Sequence, residues 1–192
     1  METSSCLLDK FIVDFSYQKV TEISRMTKQF QNSIKILFVC HGNICRSPLA
    51  EYLLRHLVQT RGLSDSFHIA SAATSREEIG NPVHRGTRAK LQALGISTAG
   101  KCAVRLEKQD YGKYDYLIGM DRYNITDMLR ILGGDPDGKV SRLLDFTDHP
   151  RDVADPWYTG DFDTAYDDVL EGCNALLDHI LSQKPNFSQK SK

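Results

Sequence analysis

The rhythm of apolar and polar positions changes at Ile34. Over residues 1–33 no single period holds, and four basic residues (Lys10, Lys19, Arg25, Lys28) balance four acidic ones (Glu2, Asp9, Asp14, Glu22). This reads as an N-terminal extension, with a partner-binding arm as the sharper alternative and Met26 as an alternative start. From Ile34 the order improves. Ile34–Val39 is an apolar run rich in β-branched residues, as expected of a strand buried on both faces. Leu49, Ala50, Leu53, Leu54, Leu57 and Val58 then recur at helical spacing. Phe67–Ala73 predicts a second strand, and Thr87–Leu94 a helix closed by Gly95. Tyr114–Met120 predicts a third strand. A helix through Ile125, Met128, Leu129 and Leu132 follows, stopped by Gly133-Gly134. Asp135–Gly138 is a turn, and Val140–Leu144 a short fourth strand. Asp145–Gly160 has no period. The last helix carries Tyr166, Val169, Leu170, Cys173, Leu176, Leu177, Ile180 and Leu181 on one face, and a polar tail follows.

Strands alternating with helices imply an α/β fold with a parallel sheet covered on both faces. Ligands of such folds bind at the carboxyl ends of the strands. The chain of 192 residues is long enough for one domain with a real core. A net charge of -1 argues against general binding to nucleic acid or to an anionic membrane surface. Five irregularly spaced cysteines fit free thiols in a reducing, cytoplasmic setting better than a disulfide framework, and their spacing suggests no metal site. The first residues lack the pattern of a secretory signal. Nothing in the pattern sets an oligomeric state.

The chemistry concentrates in the loop after the first strand, VCHGNICRSP, residues 39–48. A loop that joins a buried strand to a helix N-terminus gathers unpaired N–H groups, which bind anions with help from the helix dipole. Gly42 and Asn43 permit the backbone angles of such a nest, and Arg46 offers a planar fork for two oxygens of a tetrahedral anion. The same surroundings favour a thiolate at Cys40, and Ser47 can donate a hydrogen bond to it. The loop thus places a nucleophile beneath a bound phosphoryl group. It lacks the ending of a Walker loop, so a nucleoside triphosphate site is not supported. An acid for the leaving oxygen is offered by Asp155, which Pro156 biases to extended backbone. Trp157 and Tyr158 can wall an aromatic ring.

VCHGNICRSPLAE together with ADPWYTGDF resembles the low-molecular-weight protein tyrosine phosphatases. The likeness runs from about Ile34 to Leu181 and includes Ser71–Ser75, Gly80-Asn81-Pro82 and YLIGMD, residues 116–121. It implies a four-stranded parallel sheet flanked by helices on both faces, with residues 34–183 as the phosphatase domain and 184–192 as a tail. It implies a mechanism without metal or other cofactor. Cys40 would attack phosphorus, and Arg46 and the loop amides of His41, Gly42, Asn43, Ile44 and Cys45 would hold the phosphate. Asp155 would protonate the tyrosine oxygen and then activate water. Asn43 would brace the loop with Ser71 behind it, Ser47 would assist the thiolate, and Ile44, Trp157 and Tyr158 would shape the aromatic slot. The partner would be a phosphotyrosine protein, a tyrosine kinase among the options. Cys45 matches a cysteine that in the family can form a reversible disulfide with the nucleophile. A histidine that supports the loop asparagine in many eukaryotic members aligns here with Leu94, so that support is absent or supplied differently.

Three other functions share these residues. A protein-arginine phosphatase of the family carries threonine where this loop has Ile44. A thiol-linked arsenate reductase needs two further redox cysteines close together, whereas Cys102 and Cys173 lie far apart in sequence. A phosphate-binding module without catalysis would have no need of both Cys40 and Asp155.

Overall fold

The computed structural model describes residues 33–183. The expected extension, the alternative start at Met26 and the polar tail therefore lie outside the described residues, apart from Ser33. Four strands, β1 (Ile34–Cys40), β2 (Phe67–Ala73), β3 (Tyr116–Gly119) and β4 (Val140–Arg142), form one parallel sheet in the order β2-β1-β3-β4. Five helices accompany them: α1 (Arg46–Thr60), α2 (Arg85–Ala93), α3 (Arg122–Leu132), α4 (Pro156–Thr159) and α5 (Phe162–Gln183).

Alternation along β1 explains why it is apolar throughout except at Lys35. Ile36, Phe38 and Cys40 face a core shared with Leu49, Leu53 and Leu54 of α1 and Val169, Leu176 and Leu177 of α5. Leu37 and Val39 face a smaller core with Met128 and Leu132 of α3. Both sides of the central strand are thus removed from water, which is the main source of cohesion here. The order places a topological switch between β1 and β3, since the chain leaves β1 toward β2 and returns on the other side. Their carboxyl ends flank a crevice, the usual ligand site of open parallel sheets.

Several boundaries differ from the sequence pattern. β3 begins at Tyr116, because Asp115 receives the Lys35 N–H on its carboxylate and donates its own N–H to the Lys35 carbonyl. β4 stops at Arg142, where Asp145 caps a 3-10 turn over Leu143–Phe146. Within the aperiodic stretch the structure forms α4, too short for a period to register. Asp155 is its N-cap, in extended backbone, and Pro156 is its first residue. No helix of the described residues is long and apolar enough to cross a membrane.

Candidate active site

Residues His41–Cys45 turn the chain from β1 into α1 at the crevice. Asn43 has φ 57°, which only a short polar side chain tolerates with any ease. Cys45 precedes α1 without a side-chain capping bond, so its side chain leaves the first amides of this 15-residue helix, and the positive end of its dipole, unsatisfied. The loop is sewn to the residues that follow β2: Thr74 N–H donates to the Cys40 carbonyl and Ser75 N–H to that of His41. On the far side His84 N–H donates to the Ile44 carbonyl.

Cys40 is buried at the end of β1, with its Sγ 3.0 Å from Ser47 Oγ. Behind them runs a chain of polar groups. Asn43 Nδ2 donates to Ser47 Oγ at 2.9 Å and to Ser71 Oγ at 2.8 Å, and Asn43 Oδ1 accepts from Val104 N–H. Ser71 Oγ donates to Glu51 Oε2 at 2.5 Å. Glu51, 2% exposed, is neutralised by Lys101 at 2.8 Å and Arg55 at 2.7 Å. A buried carboxylate needs such partners. The support expected near Leu94 is therefore supplied differently: Leu94 is exposed at the end of α2, and Lys101 stands in the network instead.

Arg46 is 3% exposed. Its fork reaches Asp121 at 2.6 Å and Asp155 at 2.5 Å, with a longer contact to the Val153 carbonyl. Burial opposes its charge, but Cys40, Asp155 and Asp121 outweigh that and hold the guanidinium above its usual range. Cys45 behaves oppositely. Burial, reinforced by negative charge at Cys40 and Asp155, pushes its thiol up to about 12. Cys40, His41, Gly42, Ile44, Cys45, Arg46 and Asp155 line one cleft with Glu77, Glu78, Trp157 and Tyr158. Trp157 is 57% exposed and Tyr158 85%, so two aromatic faces stand open at its mouth. His84 stacks on Phe162 at 5.1 Å and meets Trp157 edge-on at 6.1 Å, which ties that wall to α2.

The residues singled out from the sequence thus converge. Cys40, Arg46 and Asp155 share the cleft, with Ser47 and Ser71 directly behind it. Cys102 is exposed and Cys173 is buried in α5, and neither lines the cleft. Sequence reasoning missed Asp121, Glu51, Lys101 and the aromatic contacts of His84. Two signals were there to read: Asp121 lies two residues past the end of β3 and caps α3, and Glu51 interrupts the apolar face of α1.

A family model described as low molecular weight phosphotyrosine protein phosphatase matches residues 35–186. The low molecular weight protein-tyrosine-phosphatase YfkJ of Bacillus subtilis is 40% identical over 153 residues, which is 79% of this chain and 98% of that protein. The crystal structure of YfkJ is similar with a TM-score of 0.76, over 79% of this chain and 97% of that one. The low molecular weight protein-tyrosine-phosphatase PtpA of Staphylococcus epidermidis is 38% identical over 149 residues, 77% of this chain and 94% of that protein. The low molecular weight protein tyrosine phosphatase SP-PTP of Streptococcus pyogenes gives 36% identity and a TM-score of 0.71, over 81% of this chain and 98% of that one. With the site geometry in place and a family model spanning most of the chain, the protein belongs to the low molecular weight phosphotyrosine protein phosphatases.

Proposed function

We propose that this chain hydrolyses phosphotyrosine in proteins through a cysteinyl-phosphate, with residues 34–183 as the catalytic domain. The observation that carries the reading is the convergence of Cys40, Arg46 and Asp155 on one cleft at the N-terminus of α1. The phosphate enters the hollow formed by residues 41–46, where amides and the Arg46 fork take its non-bridging oxygens. Asp121 keeps its hold on one arm of Arg46, so the fork arrives oriented. Asp155, which holds the other arm in the free chain, gives it up to the phosphate.

Cys40 then attacks as thiolate, with Ser47 donating to the sulfur. The S–P bond forms, the P–O bond to the tyrosine breaks, and Asp155, released from Arg46 and acting in its carboxylic acid form, gives its proton to the phenol oxygen. In the second step the Asp155 carboxylate takes a proton from water. That water attacks phosphorus, the S–P bond breaks, and Cys40 leaves as thiolate. Asn43 and Ser71 hold the loop during both steps, while Ile44, Trp157 and Tyr158 flank the ring. Cys45 serves as a reserve thiol: protonated in ordinary conditions, it closes a disulfide on Cys40 once a peroxide has oxidised Cys40 to a sulfenic acid, the peroxide being reduced and the sulfenic acid releasing water as the disulfide forms. Such a thiol pair suits a reducing compartment such as the cytoplasm. The substrate is a phosphotyrosine protein, tyrosine kinases among them.

The test is phosphate release from matched phosphotyrosine, phosphoserine and phosphoarginine peptides by the reduced protein. Release mainly from phosphotyrosine is expected, abolished in Cys40→Ser. Asp155→Ala lowers it by ~10²–10⁴, the usual contribution of a general acid. Release mainly from phosphoarginine overturns the substrate, and no release from any of them overturns the enzyme reading.

A further inference from the structure

From Thr147 to Asp155 the chain has neither strand nor helix, yet its last four residues are each gripped. Asp152 is bonded by Arg122 and Arg142, and Val153 N–H donates to the Met120 carbonyl at 2.9 Å. Ala154 N–H donates to Asp168 Oδ2 at 2.9 Å, and Asp155 is held by Arg46. Asp168 lies in α5, buried, and does not line the cleft. Its other oxygen accepts from Arg151 Nη2 at 2.6 Å, and Arg151 also pairs with Glu171, three residues further along α5. One carboxylate thus fixes the acid loop at two points, residues 151 and 154.

We propose that Asp168 is a positioning residue for Asp155, acting through the Ala154 amide; the inference rests on the phosphatase reading above. When a phosphoryl group takes the Arg46 fork, Asp155 loses the ion pair that holds it in the free chain. Its backbone then depends on neighbours. Downstream, Pro156 has no N–H to be held, and the remaining bonds of Asp155, its Oδ1 accepting from Trp157 N–H at 3.1 Å and its carbonyl from Thr159 Oγ1 at 3.3 Å, stay within the four-residue α4. The grip nearest to Asp155 on the other side is the bond from Ala154 to Asp168. Without it the loop keeps its ties at Asp152 and Val153, but the peptide leading into Asp155 is free to turn. A misplacement of ~1 Å at such a group costs up to ~10²-fold in rate.

A purely structural role and a positioning role separate in leaving-group dependence. The quantity to measure is kcat/KM, which reports cleavage of the P–O bond, for aryl phosphates whose phenols range from strongly to weakly acidic. The wild-type chain, with its acid in place, shows a shallow fall as the phenol becomes less acidic. Asp155→Ala shows a steep one. Asp168→Ala is expected to fall between them, losing ~10-fold on phosphotyrosine and less than ~2-fold on dinitrophenyl phosphate, which needs no proton. Asp168→Asn retains an oxygen that can accept from Ala154 and is expected to restore most of the shallow slope. Asp155→Ala with Asp168→Ala is expected to be no steeper than Asp155→Ala alone. Asp168→Leu fills the space without an acceptor and reads the same slope in place of an unfolded Asp168→Ala. A wild-type slope in Asp168→Ala and Asp168→Leu, whether activity falls uniformly or not at all, overturns the proposal while leaving the phosphatase reading intact. A wild-type chain inactive on every aryl phosphate overturns both.

Discussion

Asn43 joins backbone strain to hydrogen bonding in a single residue. Among the described residues it is the only non-glycine with positive φ, and its side chain is 1% exposed. Its amide bonds Ser47, Ser71 and the Val104 N–H together. Asn43→Ala therefore loses two buried hydrogen bonds and a partly buried one and keeps the left-handed backbone, for a combined cost of about 2–4 kcal/mol. Asn43→Gly relieves the backbone part, about 1 kcal/mol, and leaves the polar part. Urea unfolding should rank the stabilities wild type, Gly, Ala, while kcat/KM should fall in both variants. Full activity in Asn43→Gly would show that the loop needs the backbone angle alone. The loop's glycine, asparagine, arginine and serine were legible from the sequence because their chemistry is local. Glu51 and Asp121 left only local hints and Lys101 none, because the partner that gives each its place is distant in the chain: Lys101 reaches Glu51 from fifty residues away (101 against 51) and Asp121 reaches Arg46 from 75.

Among the elements, β1, α1, β2 and α5 announce themselves by their apolar patterns; β2 has the expected bounds, Phe67–Ala73, and β1 runs one residue past expectation to Cys40. The acid loop announces only its Asp-Pro step, since its order comes from ion pairs with other elements. Asp152 is a case in point. Burial would raise its pKa, but hydrogen bonds from Arg142 and Arg122 outweigh burial and hold it below the usual 3.8. A carboxyl depressed in the folded state stabilises above its unfolded pKa and loses that contribution as pH falls through the folded one. Wild type should therefore exceed Asp152→Asn in stability at neutral pH, and the two should converge below pH ~4. Denaturant titrations across this range check it, and a constant gap would contradict it. Packing sets another limit. Gly172 sits inside α5, where an added Cβ would lie 2.5 Å from Leu143 Cγ, a fully buried side chain. Alanine gains ~1 kcal/mol of helix propensity there, whereas overpacking costs ~1–3 kcal/mol. Gly172→Ala is thus expected to lower the melting temperature, and a rise would mean that Leu143 yields easily.

For the molecule as a whole, the fold class followed from alternating strand and helix patterns, and the parallel sheet carries it through. Strand order is different in kind. Nothing in the local pattern of β3 says that it pairs with β1 rather than with β2, yet that choice creates the switch point. It brings Asp121, at the end of β3, beside Arg46, at the start of α1. It also leaves room for the acid loop to cross the same crevice, with Val153 bonded to Met120 at the end of β3. The proposed nucleophile and anion fork share one loop, and this topology brings Asp121 and the proposed acid, Asp155, to them from two other segments. The central claim is that they act together on one phosphoryl group, with Cys40 carrying it between two steps. The most direct measurement is a rapid acid quench of the reduced protein during turnover of a phosphotyrosine peptide, followed by mass spectrometry of the fragment that contains Cys40. Phosphate on Cys40, absent from Cys40→Ser and accumulating in a chain whose second step is slowed, is the predicted result. Turnover with no phosphate on Cys40 at any time, or with phosphate on another residue, would contradict the account.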